Sequence, residues 1–410
     1  MKRILLASTA IVAFAGAAAA DGHTGVSFGG DAELGYNDDF DNGIFWSFGL
    51  TVSGAMELDN GLTATISGDV ELINAPETND NGTPNDTTDD FVENDGGNSA
   101  FDGNEVEIDD LVIGLASETA SLKFGDTAPA ADTMYSSAVT NVDADSFNDE
   151  DDLENEDAVL IGRMSFGATE VGLSYAVETS NQAPDDDLEA LQLAATTTIG
   201  TVDLAFGYQE AVEGLGSSVG TVDIADTPEV IAFSASTTLG GVDLGFAYAK
   251  ASSDVADAEL TSIGVQAAYT FSDITATVFY VSQDLDGADT VGVDYDDNYG
   301  IALDYASGPI TVGFYYHDGA DEETAINVGY DVGNGLNLFA GYLDEMDTLA
   351  GDAGSSYFYV GGDYDLGGGA NLRVSYADVD EGDVNGLTLD ELGAAEDVKE
   401  GATIAMSFTF

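Results

Sequence analysis

Trp46-Ser47-Phe48-Gly49-Leu50-Thr51-Val52-Ser53-Gly54-Ala55-Met56-Glu57-Leu58 runs into Asp59-Asn60-Gly61 and on through Leu62-Thr63-Ala64-Thr65-Ile66-Ser67-Gly68-Asp69-Val70-Glu71-Leu72. In the first run Trp46, Phe48, Leu50, Val52, Met56 and Leu58 share one parity, and Ser47, Thr51, Ser53 and Glu57 the other. After the Asp-Asn-Gly turn the pattern repeats, with Leu62, Ile66, Val70 and Leu72 against Thr63, Thr65, Ser67, Asp69 and Glu71. A strand sends successive side chains to opposite faces, so each run reads as a strand with one apolar and one polar face, and the pair as a hairpin.

The same period of two extends down the chain: Val202-Leu204-Phe206-Tyr208, Val242-Leu244-Phe246-Tyr248, Ile310-Val312-Phe314-Tyr316, Ile326-Val328-Tyr330-Val332 and finally Ile404-Met406-Phe408-Phe410. Tight turns fall near residues 60, 118, 168, 200, 240, 272, 308, 334 and 368. Nine hairpins with one strand at each terminus give twenty strands, and a missed or merged hairpin moves that number by two, so the range is 16–20. The other connections read as long and acidic: 75–103, 127–157, 211–227, 285–297 and 381–397. Short turns at one end and long loops at the other describe an all-β, antiparallel up-and-down meander.

Composition narrows the setting. The 410 residues include 78 acidic and 7 basic, a net charge of −71, with no Cys. At 44% hydrophobic and 10% aromatic the chain is too apolar to be disordered despite that charge. Such acidity excludes nucleic acid as a partner, because phosphate binding needs a basic surface. The lack of Cys excludes a disulfide scaffold, thiolate zinc sites and cysteine nucleophiles. Met1-Lys2-Arg3, the apolar Ala-rich run to Ala20, and Asp21 after Ala18-Ala19-Ala20 read as a secretory signal peptide over 1–20, leaving 21–410 as one domain. No later run is long enough for a membrane helix, so any membrane insertion must use strands.

Alternation alone fits both a soluble sandwich, apolar inside, and a membrane barrel, apolar toward lipid. Three features favour the barrel: polar faces made of small residues; aromatic residues near the ends of apolar faces (Tyr208, Tyr248, Tyr280, Tyr305, Tyr316, Tyr342), where interfacial girdles sit; and the leader. A secreted acidic β-rich surface protein or calcium-dependent adhesin is the alternative.

Several segments, in their order, resemble one family. Gly29-Gly30-Asp31-Ala32-Glu33-Leu34-Gly35-Tyr36, Leu122-Lys123-Phe124-Gly125-Asp126-Thr127 before a long acidic loop, Tyr364-Asp365-Leu366-Gly367-Gly368-Gly369-Ala370 and the terminal Phe410 resemble Gram-negative outer-membrane porins of the alphaproteobacterial, Rhodobacter-like type. The resemblance implies a transmembrane barrel in the cell outer membrane, usually 16-stranded and homotrimeric, with a long external loop folded into a water-filled channel. It also implies passive diffusion of small hydrophilic solutes and ions, and a C-terminal Phe410 read by the outer-membrane assembly machinery. The count of twenty departs from the usual sixteen.

The resemblance makes 127–157, with ten acidic residues and no basic one, the candidate constriction loop. After the leader only five basic residues remain. Lys123, Arg163, Arg373 and Lys399 fall on the inward parity, and Lys250 ends an outward face. In this family basic wall residues oppose acidic loop residues, so Lys123, Arg163 and Arg373 against Asp149, Glu150, Asp151 and Asp152 are the expected constriction charges. A lumen lined by carboxylates enriches cations, so cation preference is expected. No cofactor is required. Ca²⁺ on the acidic loops is the one candidate ligand, with Asn37–Gly43 the best local stretch, although no calcium-loop spacing is present. An enzyme is not expected: His23 and His317 form no metal-ligand pair, no nucleophile elbow or phosphate loop occurs, and His317 reads as a girdle residue.

Overall fold

The computed structural model describes residues 24–39, 43–74, 77–79, 91–93, 107–148, 158–177, 188–219, 222–253, 258–287, 297–319, 321–347, 355–380 and 398–410. The expected leader, residues 1–20, lies outside the described residues.

Twenty antiparallel strands form a single sheet. In chain order they are β1 (Thr24–Asn37), β2 (Ile44–Glu57), β3 (Thr63–Asn74), β4 (Glu107–Ala116), β5 (Ala120–Gly125), β6 (Ala158–Phe166), β7 (Thr169–Val177), β8 (Leu188–Ile199), β9 (Val202–Gln209) and β10 (Glu229–Leu239). There follow β11 (Val242–Ser253), β12 (Ala258–Phe271), β13 (Ile274–Gly287), β14 (Asn298–Ser307), β15 (Ile310–Asp318), β16 (Asp321–Gly333), β17 (Leu336–Asp347), β18 (Ser355–Gly367), β19 (Ala370–Asp380) and β20 (Gly401–Thr409). Each pairs with its neighbour in sequence, and β1 also pairs with β20, from Asp31↔Thr409 to Asn37↔Thr403, which closes the barrel. The count is twenty, not the sixteen usual in the family the sequence resembles. A sixteen-stranded barrel already leaves an aqueous channel, and diameter grows with strand number.

The nine expected tight turns are all present, as at Leu58–Leu62, where Gly61 sits at φ 81° and its N–H donates to Leu58 O at 2.9 Å. The opposite end is more varied than the sequence suggested. β11 and β12 are separated only by 254–257 and β15 and β16 only by 319–320, while two small hairpins (Glu77–Asn79 with Phe91–Glu93; Val212–Val219 with Val222–Thr227) stand outside the sheet. Among the described residues no helix is long and apolar enough to cross a membrane; the crossing elements are strands.

The apolar parity faces outward. Ile66 and Val278 are each 50% exposed, and Phe28, Leu34, Ile113, Leu122, Val265 and Ile326 are similarly open. Burial of these residues in water would be the expected state, so their exposure on one continuous belt defines a surface meant for lipid. Aromatic residues bound the belt at both edges. Tyr36, Tyr280, Tyr299, Tyr342 and Tyr376 lie at the loop end, and Phe166, Phe271, Tyr305, Tyr330 and Tyr364 at the turn end. At the loop end the hydroxyls donate to carboxylates: Tyr208 to Glu229 at 3.3 Å, Tyr299 and Tyr316 both to Asp318, Tyr342 to Asp344 at 2.8 Å, and Tyr280 to Asp297. Lys250, outward as expected, pairs there with Glu259 at 2.8 Å. His317 is not a girdle residue. Its neighbour Tyr316 takes the outward position, so His317 turns inward, 5% exposed between the rings of Phe279 and Tyr315.

The closing seam carries a specific contact. Gly30 and Phe410 exchange both backbone hydrogen bonds, at 3.0 and 2.9 Å, and the Phe410 ring lies over Gly30 to stack on Phe48 at 6.3 Å. Phe410→Ala should leave the strand order intact but lower the temperature at which the folded band disappears from heat-modifiable gel mobility. The ring pair contributes about 0.5–1.5 kcal/mol beyond its area. An unchanged melting temperature would remove Phe410 from the seam's stability.

Candidate functional site

Inside the barrel, the described part of the long connection after β5 folds against the inner wall. Gly125 ends β5 at φ 136°, where a side chain would collide with the Leu111 carbonyl, and the chain turns inward from there. It forms a short helix α1 (Ala130–Met134) and a 3₁₀ turn (Asp143–Asp145). Loop and wall together bury Val139, Val142 and Ala144 against Val230, Ala232, Ala247, Ala249, Leu260 and Val281, with a second cluster joining Ala130 to Val159, Ile161 and Ala176. A third buried apolar cluster, Phe339, Tyr359, Ala377 and Val398, lies apart from these loop contacts.

The wall is carved to receive it. A side-chain carbon at Gly172 would strike Met134, at Gly207 the Phe147 ring, and at Gly245 the backbone carbonyl of Ala138. Hydrogen bonds fix the register. Ser174 Oγ accepts from Ala130 N (2.8 Å), Gln266 Oε1 from Thr140 N (3.0 Å) and Ser262 Oγ from Ala144 N (3.3 Å), while Ser234 Oγ donates to Ser136 O (2.8 Å). Asn298 Nδ2 donates to Asn141 O and to both carboxylate oxygens of Asp143, and Tyr315 donates to Asn141 Oδ1.

The centre of this attachment is a pair of glutamines, each 1% exposed and directly opposed across β8 and β9. Gln192 Oε1 accepts from Ala131 N and Asp132 N at the start of α1. Its Nε2 donates to Asn148 O (2.8 Å) and to Gln209 Oε1 (3.1 Å). Gln209 Oε1 accepts from Asn148 N (2.8 Å), and its Nε2 donates to Asn148 Oδ1 (2.6 Å) and Pro228 O. One amide pair therefore holds both the beginning and the end of the described loop. Neither glutamine belongs to a motif recognisable along the chain. The available signal was two long amides on an inward parity of β8 and β9 otherwise built of Ala, Gly and Thr, with Asp203 at the turn end.

The expected basic residues all face the lumen. Lys123 is opposed to Gly114 and Ile161, and Arg163 to Ser121 and Gly172, all on the inner face. Because Lys123 pairs with Ile161 and Arg163 with Ser121, the two cations are diagonal neighbours, and among the described residues neither makes an ion pair. Arg373 stands apart on β19. It grips Asp363 with two hydrogen bonds of 2.8 Å and lies over the Phe339 ring at 5.3 Å. Lys399 Nζ sits 5.0 Å from the centre of the inward Phe45 ring. Asp149, Glu150, Asp151 and Asp152 lie outside the described residues. The flanking residues are fixed at different strands, Asn148 against β8 and β9 and Ala158 on β6.

Of the Asn37–Gly43 calcium candidate, Asn37 is buried and donates to Glu400 O and Thr403 Oγ1, while Asp38 accepts from Ala402 N. Those groups tie β1 to β20, and residues 40–42 of the stretch lie outside the described residues. Inward carboxylates occur instead along the wall, at Asp31, Glu33 and Asp69 on the arc the loop leaves bare, and at Asp203, Asp243 and Asp331 near the turn end.

A closed barrel with a lipid-facing apolar belt, an acidic lumen and a loop pinned inside defines a membrane channel. The description "Gram-negative porin" belongs to a family that matches residues 7–311 and 261–384, and this chain is a member of that family and a protein of the outer membrane. No curated protein matches it. Among solved structures it is similar to the outer membrane protein OmpT of Vibrio cholerae in its trimer form, at 16% identity over 95% of this chain and 100% of that one, TM-score 0.38. It is likewise similar to a triple mutant of the Rhodopseudomonas blastica porin (16% identity, 94% and 100%, TM-score 0.37) and to the anion-selective porin from Comamonas acidovorans (13% identity, 94% and 100%, TM-score 0.37). The family and fold are those of a channel rather than an enzyme, and a soluble surface protein would bury the face that is exposed here.

Proposed function

We propose that this protein is a general diffusion porin whose water-filled channel prefers cations and passes small hydrophilic solutes. The observation that carries this reading is the sign of the uncovered wall. Acidic side chains outnumber the inward basic ones, and Arg373, one of those few, is already neutralised by Asp363. A wall of one sign concentrates the opposite counter-ion, over a range of roughly 8 Å at physiological salt. In planar bilayers under a KCl gradient, the reversal potential should take the sign of K⁺ permeation and shrink as ionic strength rises. A reversal potential of the anion's sign overturns the proposal.

The loop 127–157 acts as the constriction, with Lys123, Arg163 and Arg373 set against Asp149, Glu150, Asp151 and Asp152. Removal of residues 1–20 and assembly as a homotrimer complete the reading. The mass of the folded protein in detergent, with N-terminal sequencing, tests both.

A further inference from the structure

We propose that Tyr135 and Asp145 form a proton-operated latch that fastens the inward loop in acid and releases it as the medium approaches neutrality, so that conductance rises with pH. The inference rests on the reading of the loop 127–157 as the constriction. Tyr135 follows α1 and Asp145 closes the 3₁₀ turn, so the pair joins the two halves of the loop. The Tyr135 ring packs edge-on against Phe147 at 5.4 Å. Tyr135 Oη and Asp145 Oδ2 are both shut off from solvent, and neither atom completes a well-formed hydrogen bond.

Among the described residues no cation compensates the Asp145 carboxylate. From its own loop it faces Tyr135, Ser137 and Asp143, the last held by Asn298 of β14. Beneath the turn β10, β11 and β12 present Ser234, Ala247, Ala249 and Ser262, none of them charged. The charged groups of these strands lie elsewhere. Lys250 and Glu259 pair on the outer face, and Asp243 is held by Thr238 at the turn end. An ionised carboxylate in such a place is disfavoured by lost hydration.

Burial accordingly pushes the Asp145 carboxyl from 3.8 up to about 7, and pushes Tyr135 up as well. With the loop docked the proton is held; with the loop released into water the carboxyl returns to its ordinary range. Docking therefore takes up a proton between those two values. Its equilibrium is most favourable below about pH 4, weakens about tenfold per pH unit, and levels off above about pH 7, a total on the order of a thousandfold.

The test is single-channel conductance in concentrated KCl from pH 4 to pH 8, on barrels verified by heat-modifiable mobility. The wild type should pass from a lower to a higher conductance across this range. Asp145→Asn should stay at the lower level throughout. Tyr135→Phe, which keeps the ring but removes one of the two hydroxyl donors facing the carboxylate and leaves Ser137, should move the transition to higher pH. Gln192→Leu/Gln209→Leu, with the loop unfastened, should conduct at the higher level at every pH. If that double variant conducts more but the wild type is flat, the latch is wrong and the constriction stands. If the double variant conducts no more than wild type at pH 4, the constriction itself fails and the latch with it. An Asp145→Asn channel that titrates like the wild type also overturns the latch.

Discussion

Gln192→Leu/Gln209→Leu is expected to give a barrel that still folds and inserts but, at pH 4, conducts more current and admits larger neutral solutes than the wild type. Leucine fills a similar volume without an amide. It leaves Ala131 N–H, Asn148 N–H and Asn148 C=O unanswered in a place where both glutamines are 1% exposed. An orphaned buried polar group costs about 1–3 kcal/mol, so three of them oppose docking by roughly 3–9 kcal/mol. The apolar contacts of Val139, Val142 and Ala144 with the alanine-rich wall work in the other direction. The barrel ladder is untouched, since Gln192 and Gln209 keep their backbone pairing. Liposome swelling with a graded series of sugars reads the exclusion limit. An unchanged limit in a folded double variant would show that the glutamines do not set the bore.

Val278→Arg is expected to impair insertion severely, while Thr51→Arg is expected to insert normally and shift ion selectivity toward anions. Val278 is 50% exposed on the outer belt, between Tyr280 toward the loop end and Ile274 toward the turn end of β13. A guanidinium near the bilayer midplane costs about 2–4 kcal/mol. Thr51 lies opposite Gly29 and Asp69 on the inner parity of β2 and β3, where an added cation stays in water. Folding yield into lipid vesicles, followed by reversal potential, separates the two. Equal tolerance at both positions would contradict the assignment of inside and outside.

The twenty strands were legible because their cause is local. Each turn between Asp59-Asn60-Gly61 and Gly367-Gly368-Gly369 has its own residue chemistry, and each strand carries its own alternation. Lys123, Arg163, Arg373 and Lys399 could be set inward from parity alone, since one residue along a strand reverses the face. The same rule, applied to Tyr315-Tyr316-His317, would have placed His317 inside. Reading it as a girdle residue followed its position at a strand end rather than its parity.

What the sequence determined by itself was the period, the turns, the overall charge and hence the class of architecture, all of which depend on neighbours a few residues apart. Only the tertiary structure decided that the inward small residues of β7 to β15 are a seat, that Gln192 and Gln209 meet Ala131 and Asn148, and that Asp145 is enclosed with no cation beside it among the described residues. Those contacts join positions scores of residues apart. They exist because barrel closure and loop infolding bring two surfaces together, and no pattern along the chain records which inner wall a loop will meet.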